Sequence, residues 1–219
     1  MAVSLRTSLP TVGQRHLPPG VLAIDLAAAL KFPLFDPNTH KPVDFANGDH
    51  PSLGNGYVGN DQANPDVIVA SNGGSDEFWL PGANAGDLVQ RIVGILASED
   101  YVSGIFVNDA LREISGTLSL SSINLIGSAR TPSPAIVVNF RSSVVPGCMP
   151  VPLCAAEVAD TSLGTGQGMH GGFSRADTKN FMAAIGPDFK IRFSDPAPSS
   201  NADVAPTLAH LLGLNIAPK

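Results

Sequence analysis

Apolar positions fall into short blocks separated by polar stretches rich in Gly and Pro, and their spacing predicts alternating helices and strands. From Pro18, the run PPGVLAIDLAAALK sets Val21, Leu22, Ile24, Leu26 and Leu30 on and around one helical face, with Pro at its entry and a stop before Pro33. Gly86 to Glu99 repeats the pattern, placing Leu88, Val89, Ile92, Val93, Ile95 and Leu96 opposite Asp87, Gln90 and Arg91. The β-branched run Asp66 to Ser71, bounded by Pro65 and Asn72-Gly73-Gly74, predicts a buried strand, with Phe78, Trp79 and Leu80 as its partner after the turn. Val102 to Val107 and Ala135 to Phe140 predict further strands. Phe181 to Ile185 predicts another, closed by Gly186-Pro187, and Asp203 to Leu212 a helix stopped by Gly213.

Strand, helix, strand order predicts an α/β domain with a mostly parallel sheet flanked by helices. Residues 36–65 sustain no period of 2 or 3.6 and predict a long loop or lid. A length of 219 residues suits one domain with a substantial core, spanning 1–219.

Composition narrows the functional classes. The 22 Gly and 19 Pro exceed the usual share of roughly 12% for the pair, so shaped loops join short elements. A formal charge of −6 without a Lys/Arg cluster argues against a nucleic-acid polymer or an anionic membrane as partner, since both require gathered cations. No run of eighteen apolar residues occurs, and Met1 to Pro10 lacks the apolar stretch of a secretory leader. Cys148 and Cys154 are close enough to close a small ring, either as a loop disulfide or as two free thiols. With no C-x-x-C spacing, a metal would be held by His and carboxylates.

The most informative stretch is Gly168-Met169-His170-Gly171-Gly172-Phe173-Ser174-Arg175-Ala176-Asp177, followed by Gly186-Pro187-Asp188-Phe189-Lys190. It presents one imidazole on a glycine-flanked loop, where missing side chains permit unusual dihedrals beside a metal or phosphate. By residue type alone, a hydrogen-bonded loop histidine is the simpler reading. Asp49-His50 looks like a ligand pair, but Pro51 follows it within the long loop, so it reads first as a turn and second as a metal contact. Gly54-Asn55-Gly56-Tyr57-Val58-Gly59 fits G-x-G-x-x-G literally but lacks the flanking strand and helix that dinucleotide binding needs. Ser75 and Ser174 lack the nucleophile-elbow frame, and Ser174 with Asp177 reads as a capping pair. His210 belongs to the final helix, near its C-terminal end, while His16 and His40 carry no signal.

The blocks GMHGGFSRAD, FMAAIGPDFK and SNADVAPTLAHLLGL resemble the closing part of the alkaline phosphatase superfamily, in particular its type I phosphodiesterase and nucleotide pyrophosphatase branch. PDVIVASNGGSDEFWLP and PPGVLAIDLAAAL extend the resemblance from Pro18 onward. It implies a partial alkaline-phosphatase-like domain acting on a small phosphate ester, with two divalent metal ions, as a rule zinc, and His170 as the last metal ligand. It also implies a Thr or Ser nucleophile and an Asp-His-Gly block upstream, and neither has a match here. The expectation is therefore a C-terminal portion of a phosphoric ester hydrolase, with no catalytic residue of its own and the N-terminal half as a partner. The alternative is a non-catalytic remnant or structural half-domain. Members of the family often act in the periplasm or outside the cell; the targeting segment that would indicate this is not visible in the sequence.

Overall fold

A computed structural model describes residues 17–82, 85–127, 130–144, 155–163, 170–174, 178 and 182–215. The chain divides into two compact units, Met1–Thr178 and Lys179–Lys219.

In the first unit, helix α1 spans Val21–Leu30, and buries Leu22, Ala23, Leu26, Ala27 and Leu30 at the predicted helical spacing. Lys31, in the left-handed conformation, ends it and directs the chain through Pro33 into strand β1, Leu34–Asp36. A tight turn leads to β2, Lys41–Pro42, whose Pro is tolerated because the strand lies at a sheet edge. Next come β3 at Gly56–Val58, β4 at Val67–Ser71 and β5 at Ser75–Trp79. Helix α2 spans Ala85–Leu96, followed by β6 at Val102–Val107, β7 at Leu118–Ser119 and β8 at Ile136–Phe140. A separate ribbon pairs β9, Ser142–Val144, with β10, Ala155–Glu157.

These strands make an eight-stranded sheet in the order β2-β1-β3-β4-β5-β8-β6-β7. The expected mostly parallel sheet is corrected: the observed pairings are antiparallel throughout, with β6 and β7 the exception. The physical reason lies in the crossover. β5, α2 and β6 form a strand, helix, strand unit, and both strands do run the same way. They are not hydrogen-bonded neighbours, because β8 inserts between them and runs opposite to both. Strand order along the chain records direction, whereas neighbour identity is fixed by a segment some thirty residues further on.

β8 is buried along its whole length, and its alternation serves both faces of the sheet. Ile136, Val138 and Phe140 join the main core with Leu22, Leu26, Phe78, Ile92 and Leu96, so α1 and α2 cover that face. Val137 joins Phe106 and Leu120 in a smaller cluster, against which Phe173 packs. Residues 36–65 carry β2, β3 and a turn of 3-10 helix at Phe45–Asn47. They are pinned by Asp36, whose carboxylate accepts the amides of Asn38 (2.8 Å) and Ser52 (2.9 Å). A single buried carboxylate thus organises a stretch with little hydrophobic pattern.

In the second unit, residues 182–185 form no strand, which corrects that expectation as far as they reach; Phe181 lies outside the described residues. The final helix, α3, spans Val204–Leu211 and is entered through a 3-10 turn at Asn201–Asp203. Ser200 Oγ accepts the Ala202 amide (3.1 Å) while Asp203 accepts that of Ser200 (2.7 Å), a reciprocal cap. His210 is exposed in its last turn, at the end where a cation is favoured.

Candidate functional site

The candidate site grows from the turn that joins β4 to β5. Asn72-Gly73-Gly74 closes this hairpin, with the Asn72 amide donating to the Ser75 carbonyl (2.9 Å). Two later segments dock on it. The Asp160 amide donates to the Gly73 carbonyl (2.9 Å), and the Gly74 amide donates to the His170 carbonyl (3.2 Å). Phe173 anchors the second segment, with its ring 5.2 Å from that of Phe106 and its amide donating to Asn139 Oδ1 (3.0 Å).

This docking accounts for Gly171 and Gly172 beside His170. Gly171 has φ +92°, and a Cβ there would lie 1.8 Å from the Asn72 carbonyl oxygen. A Cβ on Gly74 would lie 2.5 Å from the Gly172 Cα. The glycines allow two backbones to touch, and in doing so hold His170 exposed at the rim of a cleft of about 190 Å³. Ser71, Asn72, Thr161 and Ser162 give this cleft a polar lining, and Asp160 is its acidic residue.

Asp160 is 1% exposed and Asp76, on β5, is 0% exposed. Asp160 Oδ1 accepts the Gly20 amide at 2.6 Å, so it caps α1, which lacks an acidic residue of its own in the first turn. Among the described residues, Asp160 Oδ2 and both carboxyl oxygens of Asp76 have no hydrogen-bond partner of normal geometry, although the Asn72 amide lies near enough to Asp76, and that of Leu22 to Asp160, to favour their charged forms. Burial, then the charge of Asp160, push Asp76 well above the usual carboxylate range. Burial also raises Asp160, to about 6, against the opposing pull of the Gly20 amide and of Asp76. A second, half-buried pair does not line the cleft: Tyr101 donates its hydroxyl to Asp25 Oδ2 (2.7 Å), and burial raises both groups.

The residues singled out from the sequence do not assemble. Asp49 and His50 are exposed, and His50 Nδ1 donates to the Pro51 carbonyl (3.0 Å). Among the described residues no three His, Cys, Asp or Glu side chains converge as a metal would require, so Asp49, His50 and His170 are not a three-ligand site. The described residues therefore do not by themselves make up the two-metal centre that the resemblance implies, and His170 is the one ligand of it that they could supply. Cys148, Cys154 and Asp177 lie outside the described residues. Gly56–Val58 is strand β3 and no helix follows Gly59, which removes the dinucleotide pattern. Ser75 is buried and accepts from Asn72 Nδ2 (3.4 Å).

Asp76 and Asp160 were not singled out, although Asp76 carried a signal. It lies two residues before Phe78, and the period of 2 places it on the face that Phe78 sends into the core. Asp160 carried none, because only tertiary docking brings it to Gly73. No family model, curated protein or solved structure matches the chain.

Proposed function

We propose that this chain belongs to a metal-dependent hydrolase of phosphoric esters and contributes His170 as one metal ligand. The supporting observation is the presentation of His170: its ring is exposed at the rim of a polar cleft, on backbone held by Gly74 and by the close approach of Gly171 to Asn72. An imidazole in that position is a suitable metal donor. The nucleophile and the remaining ligands come, in this reading, from outside the described residues, and no catalytic step is assigned to any residue described.

The lack of a three-ligand cluster among the described residues favours a second reading, a non-catalytic structural domain. Zinc titrated into the protein against a competing chelator separates the two. Under the hydrolase reading zinc binds, and His170→Ala weakens it by at least about tenfold. Equal affinity in the variant removes His170 as a ligand, and absence of zinc binding in both proteins favours the structural domain.

A further inference from the structure

We infer that Asp76 and Asp160 share one proton, and that the bridged pair is a pH-sensitive clasp fixing the turn on which His170 is displayed. The inference stands whether or not a metal binds at His170. Four stretches of chain meet at this pair. Asp76 comes from β5. Asp160 is bound through its own amide to Gly73 and through Oδ1 to Gly20 at the entry of α1. The fourth stretch is the loop at Gly54, where a Cβ would lie 3.2 Å from Asp160 Oδ1, and the Leu53 carbonyl accepts the Ser71 hydroxyl (3.2 Å).

The charge of Asp160 acts on Asp76, and two ionised carboxylates so placed, both buried, would repel each other where water cannot screen them. Three buried oxygens without a hydrogen bond of normal geometry, both of Asp76 and Oδ2 of Asp160, point to a missing hydrogen. One proton on Asp76, donated to Asp160 Oδ2, satisfies two of the three and leaves Oδ1 to receive Gly20. Asp76 is the member that keeps it, because the Gly20 amide at the entry of α1 supports a charge on Asp160, whereas neither oxygen of Asp76 has a comparable partner among the described residues. This is the behaviour of a coupled carboxyl pair.

The surrounding groups agree with this. Glu77 on the same strand and Tyr101, whose hydroxyl is given to Asp25, supply no positive charge to Asp76. Glu157 on β10 lies beside Gly74. His170 does not join the pair as a third ligand-type group. The charge that is accommodated is the single one on Asp160, at the N-terminus of α1. Removing the proton places a second charge against it and drives the Asp160 segment from the Gly73-Gly74 turn, and with it the backbone bond to His170.

Both carboxyls are raised in the fold, so the folded chain holds more protons than the unfolded one. Stability is therefore fully present below the ordinary Asp value of 3.8. It falls as pH rises through about 6 for Asp160, and falls further as Asp76 loses its proton. The folding constant should drop by up to about tenfold per pH unit for each group titrating.

Asp76→Asn keeps the shape and supplies a permanent N–H donor. Chemical melts of the intact chain between pH 5 and 8 should show a falling stability in the wild type and a shallower slope in Asp76→Asn. The infrared spectrum of the wild type at neutral pH should contain a protonated-carboxyl band that the variant lacks. Equal slopes, or no such difference in the spectrum, overturn the inference. Should the variant not fold, the carboxyl carbon shift of Asp76 in isotopically labelled wild type decides: a protonated value at neutral pH supports the clasp, an ionised one overturns it.

Discussion

Replacing Gly171 with Ala tests whether the glycines beside His170 serve backbone contact. The left-handed φ of +92° costs a side chain about 1–2 kcal/mol. The new Cβ would begin 1.8 Å from the Asn72 oxygen, whereas real Cβ contacts do not fall under 3.0 Å, so the segments must separate by about 1 Å or more. That movement breaks the Gly74 to His170 hydrogen bond, which contributes a further 0.5–1.5 kcal/mol or so. The total is about 1.5–3.5 kcal/mol, a substantial part of the roughly 5–15 kcal/mol that holds a domain folded. Gly116→Ala is the control, because Gly116 has φ +84° with nothing within 4 Å of a built Cβ; it carries the backbone cost without the clash. Urea melts should place Gly171→Ala below the control, and amide exchange at Gly74 should accelerate in Gly171→Ala alone. Equal midpoints with unchanged Gly74 exchange would refute the docking argument.

Two further outcomes concern the sheet and its edge. Phe140→Ala removes a ring that is 0% exposed and set edge-on to Tyr101 at 6.0 Å, and should lower stability by about 3–5 kcal/mol in a urea melt; a loss under about 1 kcal/mol would mean that the main core does not close around β8. Burial alone would raise Asp36, but the amides of Ser52, Asn38 and Thr39 outweigh it and hold the carboxyl at about 2. Its depressed pKa contributes stability above the ordinary value of 3.8 that is lost as pH falls through about 2, so wild type and Asp36→Asn should differ at pH 5 and converge near pH 2. Parallel pH curves would deny Asp36 that role.

The sequence by itself determined the elements whose hydrophobic period is strong. The predicted helices from Pro18 and Gly86 are α1 and α2, and the runs at 66–71, 102–107 and 135–140 became β4, β6 and β8 to within a residue or two. Local chemistry sufficed there, because spacing decides which side chains share a face. The hydrophobic pattern was silent over 36–65, where Asp36 replaces apolar packing with hydrogen bonds to loop amides. Neighbour relations in the sheet were decided only by tertiary structure: nothing local to 135–140 says that it fills the gap between β5 and β6. The same holds for the candidate site. His170 and its glycines stand out in the sequence, but the reason for Gly171 lies at Asn72, and the partner of Asp76 is Asp160, more than eighty residues away. A buried charge acquires its meaning from whatever the fold brings against it, and that contact exists only once the chain has closed.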